Sequence, residues 1–366
     1  MKQDIRIQKL PPVWFIRALS AFRNALVRFH RVLFPANVVL YEHFQYFWLL
    51  PCIRVAAELD IATLLNEGPK SLEELAVLTK THEDSLRRVL RALSAEKIFR
   101  QRKDKLFVNT PMSRALMEGA GSLRYMVLHH LGPVNWNLFS ELSHKVKTGE
   151  EVFKKLYGKP IYEYLVENKD ESLLFGLSMT DLTKIAIEPV MSVFSFSSFQ
   201  TVADIGGGEG LLLSAILYKN PGLKGILFDL PEGLRGCREV LEKYSVTDRV
   251  EIQEGSFFES APAGADAYLL KNIIHNWSDD DSLKILSGIR KVMPANGRIL
   301  VIEMIISEDN KPSFGKLIDI QMMVIMRDGR ERTKREFDAL FGKAGLRISR
   351  IIPTIAPFSI LEVVRN

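Results

Sequence analysis

The residues with the most chemical potential lie in the second half of the chain. Asp204 and Ile205 end the β-branched run TVADI, and Gly206, Gly207, Gly208, Glu209 and Gly210 lead from it into the apolar helical segment LLLSAIL. Strand, glycine turn and helix in that order make a nucleotide site, because a Cβ blocks the turn and holds a ligand off the amides at the helix start. Twenty-one residues past Gly208 a second run ends at Asp229, where a carboxylate can accept both ribose hydroxyls. The constellation suits NAD or S-adenosylmethionine. Its spacing is G-x-G-x-G and not G-x-G-x-x-G, and Asp204 faces a pyrophosphate unfavourably while suiting an ammonium and a sulfonium, so the sulfonium ligand is favoured.

Other residues are more ambiguous on their own. A lone histidine near a strand end, such as His275 in IIHNW, is more often structural than catalytic. Glu303 closes the run RILVIE, which reads as a buried strand, and a buried carboxylate without a role is expensive. Asp279, Asp280 and Asp281 are expected to cap the helix SLKILSGIRKVM and meet its positive end rather than to bind a metal.

These side chains need a scaffold that gathers strand ends. After Phe194, Phe196 and Phe199 the runs TVADI, GILFDL, VEIQE, ADAYLLK, RILVIEMI, RISRII and SILEVV alternate with helical patterns. That alternation predicts an α/β fold with a mostly parallel sheet covered on both faces. The last two runs lack an intervening helix and predict an antiparallel hairpin at the edge.

The N-terminal third has a different texture. Residues 13 to 34 interleave arginines with Val13, Trp14, Phe15, Ile16, Leu19, Phe22, Leu26, Phe29, Val32 and Leu33, a basic amphipathic helix that Pro35 ends. Packing against a partner subunit is the favoured role, and contact with an anionic membrane surface the weaker alternative. The stretch Leu50 to Leu65 reads as buried helix, Ser71 and Glu74 form a capping box that opens SLEELAVL, and DSLRRVLRALSAEKIF places Leu86, Val89, Leu90 and Leu93 on one face. Ile98 to Val108 then reads as a hairpin with a charged tip, completing a winged helix. Arg87, Arg88 and Arg91 form a solvated face among Glu73, Glu74, Glu83, Asp84 and Glu96, not a DNA-reading one. The expected divisions are an extension over 1–34, a winged helix over 35–115, a helical linker over 116–195 and a nucleotide-binding domain over 196–366.

Composition narrows the class. The chain has 366 residues, 47% hydrophobic and 25% charged, which suits two globular domains and excludes disorder, collagen and coiled coil. No run approaches ~18 uncharged apolar residues, and the arginine-interrupted N-terminus lacks a small-residue cleavage site, so a cytoplasmic location is expected. Cys52 and Cys237, far apart and outside CxxC spacing, are expected to be small buried apolar residues. The net charge is +5, but Lys2, Arg6, Lys9, Arg17, Arg23, Arg28 and Arg31 against Asp4 give the first 31 residues +6 and leave the rest at −1. A nearly neutral body has no electrostatic footprint for nucleic acid.

Five ordered motifs now identify a family. DIGGGEG, FDLP (Phe228 to Pro231), GSFFE (Gly255 to Glu259), LLKNIIHNWSDDDSLKIL (Leu269 to Leu286) and DGRERTKREF (Asp328 to Phe337) resemble the class I S-adenosylmethionine-dependent O-methyltransferases of the plant caffeate and flavonoid type and their bacterial natural-product relatives. The resemblance covers nearly the whole chain and implies a Rossmann-like seven-stranded methyltransferase sheet with an N-terminal winged-helix dimerisation domain, hence a homodimer. It implies cofactor contacts from Asp204, Gly206, Gly208, Asp229, Ser256, Phe257, Lys271 and Thr183. It makes His275 the catalytic base, flanked by Glu303 and Glu331, the latter in a run that otherwise reads as surface. Phe175, Met179, Met322, Met323 and Met326 become an apolar acceptor pocket to which the helical linker contributes, with Asn276 beside it. Two positions depart from the family pattern: Ser256 stands where aspartate is common, and His275-Asn276-Trp277 replaces His-Asp-Trp.

The chemistry implied is methyl transfer to a hydroxyl of a lipophilic, aromatic small-molecule natural product, with S-adenosylhomocysteine as the other product. Aligning the reacting atoms supplies much of the rate, and a histidine can take the hydroxyl proton as attack begins. A glutamate on the second imidazole nitrogen fixes the tautomer and stabilises the imidazolium. Methylation of a prenyl or enol carbon at the same site, and a non-catalytic winged-helix regulator, are the alternatives.

Overall fold

A computed structural model describes residues 12–119 and 121–366, so Lys2, Arg6 and Lys9 of the basic extension lie outside the described residues. The chain divides into two compact units, one of Arg17–Asn137 with Leu173–Leu182, the other chiefly of Leu138–Ser172 and Thr183–Asn366. Among the described residues no helix is long and apolar enough to cross a membrane.

In the first unit the expected winged helix is present. Helix Leu72–Thr79 opens with a reciprocal capping box, the Ser71 amide donating to Glu74 and the Glu74 amide to Ser71 Oγ. Helix Glu83–Ala95 buries Leu86, Leu90 and Leu93, while Arg87 pairs with Glu83 and Asp84 of its own helix. Strands β1 (Phe99–Gln101) and β2 (Phe107–Asn109) form the antiparallel wing and put Phe99 and Phe107 into the same core. The Leu50 to Leu65 stretch differs from its expectation of a buried helix. It is split between Gln45–Glu58 and Ile61–Leu64, and of its first part only Ala56 and Ala57 are buried. The break falls at Asp60, whose φ of 53° is left-handed, and whose carboxylate accepts from Thr63 and pairs with Arg124. Cys52 is likewise half-buried rather than buried, with its Sγ donating to the Trp48 carbonyl, whereas Cys237 is buried as expected.

Helix Val13–Leu33 leaves Leu19, Phe22, Leu26, Phe29 and Leu33 exposed along one face. Pro35 separates it from helix Ala36–Glu42, and Leu40, Tyr41, Phe44, Phe47 and Trp48 continue the exposed apolar surface. An apolar area of this extent on one region of a chain marks an interaction surface.

The second unit is built on a seven-stranded sheet. Its strands are β3 (Thr201–Ile205), β4 (Lys224–Asp229), β5 (Val250–Glu254), β6 (Ala267–Lys271), β7 (Arg298–Glu303) and, after the two-residue ladder of β8 (Ile305–Ile306) with β9 (Arg332–Thr333), β10 (Leu346–Pro353) and β11 (Ser359–Arg365). The order is β10-β11-β7-β6-β3-β4-β5. Strands β3 to β7 run parallel, and β11 inserts antiparallel between β7 and the edge strand β10, as the absence of a helix between the last two runs predicted. The order reverses direction at β3, where the chain steps outward to β4 and β5 and later returns to β6. Ligands of open α/β sheets bind outside the carboxyl ends of the strands at such a switch point. Here those ends carry Asp204, Asp229, Lys271 and Glu303.

Candidate active site

The glycine turn is shaped by close approach. Gly206 has a φ of 68°, and a Cβ there would sit 2.5 Å from Ile273 Cδ1 and 3.5 Å from the Phe257 ring. A Cβ at Gly207 would sit 2.7 Å from the Asp204 carboxyl carbon. Asp229 organises the turn from the neighbouring strand: one oxygen accepts from the Gly208 amide at 2.8 Å and the other from the Leu230 amide at 2.7 Å. Burial raises the Asp229 carboxyl above its ordinary range against those two bonds. Asp204 is buried too, and burial, with Asp229 reinforcing it and Lys271 opposing it, lifts its carboxyl to about 7. The buried Lys271 ammonium is held down to about 8 by burial, against the attraction of Asp204. Buried Asp204 and half-buried Asp229 thus bring two carboxylates to the turn against one lysine, whose charge acts on Asp204. That surplus of acceptor charge, beside a turn without side chains, fits a ligand carrying an ammonium and a sulfonium and is a poor fit for a pyrophosphate.

Aromatic rings line the next segment. Phe257 meets Phe258 at 4.9 Å and Trp277 at 6.0 Å, both edge-on, and Trp277 stacks on Tyr162 at 5.4 Å. Tyr162 is close enough to Asp229 for that charge, added to burial, to push its phenol well above the usual range. Ser256 accepts from the Phe258 amide at 3.3 Å, so its hydroxyl shapes the turn carrying Phe257.

The histidine and both glutamates come together. His275 lies in the short 3-10 turn Ile274–Asn276 after β6, with its side chain 12% exposed. Its Nδ1 is 2.8 Å from Glu331 Oε1, and its backbone amide donates to Glu303 Oε1 at 3.1 Å. Glu303, at the end of β7, is 0% exposed, and the Glu331 amide is fixed by Asp319 Oδ1 at 2.8 Å. Among the described residues no hydrogen bond engages Nε2 of His275. Burial disfavours charge on this imidazole, but the hydrogen bond and charge of Glu331, joined by Glu303, outweigh it and raise its titration above the ordinary histidine value. Burial lifts Glu303 to about 7 despite the pull of His275.

Met322 and Met326 are buried, and a Cβ at Gly329 would touch both Met326 and the His275 carbonyl, which places Met326 beside the histidine turn. Met323 lines a cavity of about 310 Å³ with Ser278, Gly329 and Arg330. Asn276 donates to the Asn272 carbonyl at 3.0 Å and so closes its own turn. Thr183 is half-buried in helix Lys169–Val193. Phe175 and Met179 belong to the other compact unit, where the Phe175 ring meets His129 edge-on at 5.5 Å.

Two sequence expectations change. The helix Asp279–Val292 is capped by Ser278, whose Oγ accepts from the Asp281 amide at 3.1 Å, and not by the aspartates, which form its first turn. Asp279 instead binds Arg330 and Arg332. The run DGRERT is not surface at its centre, because Glu331 and Arg332 find partners that offset their burial. Tyr162, Asp319 and Arg332 were not foreseen as site residues. Asp319 had a local signal, since it interrupts the apolar helix Phe314–Ile325.

Known proteins resemble this chain in sequence and in fold. The family model of the O-methyltransferase domain matches residues 139–347, and that of the O-methyltransferase dimerisation domain matches 41–119. The chain is 35% identical to the phenazine O-methyltransferase PhzM of Lysobacter antibioticus over 90% of its own length and 96% of that protein. It is 36% identical to the mitomycin biosynthesis 6-O-methyltransferase of Streptomyces lavendulae, over 87% and 91%. The solved structure of CalO1, a methyltransferase in calicheamicin biosynthesis bound to S-adenosylhomocysteine, superimposes with a TM-score of 0.79 at 33% identity, over 90% of this chain and 98% of that one. With that ligand in a relative and the carboxylates of Asp204 and Asp229 at the glycine turn, the cofactor is S-adenosylmethionine and not NAD. The chain belongs to the O-methyltransferase family, with a dimerisation domain followed by an S-adenosylmethionine-dependent methyltransferase domain.

Proposed function

We propose that the chain methylates a hydroxyl on a flat, lipophilic aromatic natural product, with His275 as the general base. The observation that carries this reading is the 2.8 Å contact of His275 Nδ1 with buried Glu331, which fixes one face of the imidazole and leaves Nε2 to meet an acceptor hydroxyl. When bound, S-adenosylmethionine supplies an electrophilic methyl group. The residues to hold it are Asp204, the Gly206–Gly208 turn, Asp229, Phe257 and Lys271. Glu331 orients the imidazole and stabilises its charge once the proton has arrived. The buried methionines 322 and 326 offer a soft apolar surface to a planar acceptor. A phenazine acceptor is the first to try, since one relative is named for that substrate. Incubation with methyl-labelled cofactor and a monohydroxyphenazine should place the label in an O-methyl resonance. Label on ring carbon or nitrogen, or none transferred, contradicts the reading.

Cofactor affinity should depend on pH through Asp204. Its carboxyl titrates near 7, and only its ionised form attracts a cationic ligand. Affinity for S-adenosylmethionine should therefore fall as pH drops below about 7, approaching tenfold per unit, and Asp204→Asn should flatten the dependence. Calorimetry reads this directly, and equal affinities at acid and neutral pH contradict it.

The chain should self-associate through its first unit. The exposed apolar faces of Val13–Leu33 and of residues 40–48 run into the dimerisation domain and suit a second copy. Deleting residues 1–34 should shift the mass in light scattering from dimer toward monomer, and an unchanged dimer would exclude the N-terminal helix from the interface.

A further inference from the structure

The segment that supplies Glu331 also supplies a residue the proposed reaction does not use. Arg332 is 1% exposed, and burial of a guanidinium is costly unless its donors are paired. Its Nε and Nη2 donate to Asp279 Oδ1 at 3.2 and 2.8 Å, its Nη1 to the Ile274 carbonyl at 2.9 Å and its Nη2 also to the Trp277 carbonyl at 2.9 Å. These acceptors bracket His275 on both sides in the chain. The backbone of Arg332 pairs with Ile305 in the β8–β9 ladder, two residues beyond Glu303. Its predecessor Glu331 holds the imidazole. One residue therefore ties the turn of His275, the strand of Glu303 and the segment of Glu331 to each other.

We infer that Arg332 is the positioning residue of this site, a buried fork that fixes the 274–279 turn so that His275 meets Glu331. The planar guanidinium presents donors at set angles to two carbonyls and a carboxylate, and a lysine ammonium, a point charge on a flexible stem, cannot reproduce them. The inference rests on the reading of His275 as base, yet its test needs no acceptor.

The experiment is a pH titration of the His275 imidazole by NMR in the full chain with S-adenosylhomocysteine bound, the signal assigned by its absence in His275→Gln. Arg332→Lys keeps the charge, so a change in the midpoint reports geometry. A loosened Glu331 contact removes the chief support for the imidazolium and leaves burial opposing it. The midpoint should then fall by about half a pH unit or more, while affinity for S-adenosylhomocysteine stays within about threefold. An unchanged midpoint overturns the inference. If Arg332→Lys does not fold, Asp279→Asn, which weakens the carboxylate anchor of the fork together with its pairing to Arg330, should lower the midpoint in the same way, and an unchanged value there again overturns it. Normal turnover in a His275→Ala chain defeats the base reading alone, because it leaves the midpoint of the unaltered chain and its response to Arg332→Lys as they are.

Discussion

Replacing His275 with alanine should lower methyl-transfer turnover by about 100-fold or more, while S-adenosylhomocysteine binds nearly as tightly as before. The two readouts separate because the imidazole is held by Glu331 and the His275 backbone amide by Glu303, whereas the glycine turn is organised by Asp229. General-base loss costs ~10²–10⁴ in rate, and here the rest of the site is left in place. The pH dependence has a definite sign. Only the neutral imidazole accepts a proton, and Glu331 and Glu303 raise its titration, so the rate should climb with pH through a midpoint above the ordinary histidine value of 6.5. In His275→Ala that limb should vanish. Glu331→Gln should shift it to lower pH, since the carboxylate that favours the charged ring is gone. Turnover of His275→Ala within a few-fold of the unaltered chain contradicts the assignment.

The second large effect belongs to Asp229→Ala. Its two oxygens accept from the Gly208 and Leu230 amides, so the carboxylate both fixes the turn and stands where ribose hydroxyls are expected. Hydrogen bonds to a charged group contribute about 1.5–3 kcal/mol each, and losing them leaves amide donors unpaired in a half-buried turn. Affinity for S-adenosylhomocysteine should fall by about 100-fold, equivalent to about 2.7 kcal/mol. Asp229→Asn retains one carbonyl acceptor and should fall less. Because Asp229 is distant in role from the proton chemistry, turnover at saturating cofactor should recover much of its value in either variant. Calorimetry that finds Asp229→Ala within about threefold of the unaltered chain would remove Asp229 from the cofactor site.

How much of this could be read in advance depends on whether the determinants are contiguous. The run from Thr201 to Asp229 encodes a strand, a glycine-rich turn, a helix and the end of a second strand, and the local pattern sufficed to put Asp204 and Asp229 near the carboxyl ends of two successive strands. The seven strands were visible for the same reason, since each contains a short run of apolar residues, mostly β-branched, bounded by turns. The proton-transfer group is different in kind. His275, Glu303 and Glu331 are separated by 28 and 56 residues and meet only because β6 and β7 are neighbours and β8 pairs with β9. Without the motif resemblance, Glu331 sits in a run of charges indistinguishable from surface. Arg332 illustrates the limit more sharply. Its sequence surroundings are hydrophilic, and its burial follows from carbonyls at Ile274 and Trp277 that the chain brings to it from more than fifty residues away. The same reason makes Asp279 a partner of arginines when its position before a helix suggested a cap. At the break, Asp60 likewise pairs with Arg124, a tertiary partner that the local apolar pattern does not show.

The most direct measurement of the central claim is a crystal structure of the full chain with S-adenosylhomocysteine and a hydroxylated acceptor that it methylates. The acceptor oxygen should lie within about 3 Å of His275 Nε2, with Nδ1 still on Glu331. An acceptor oxygen beyond hydrogen-bond reach of His275, with the imidazole held in the same orientation, contradicts it.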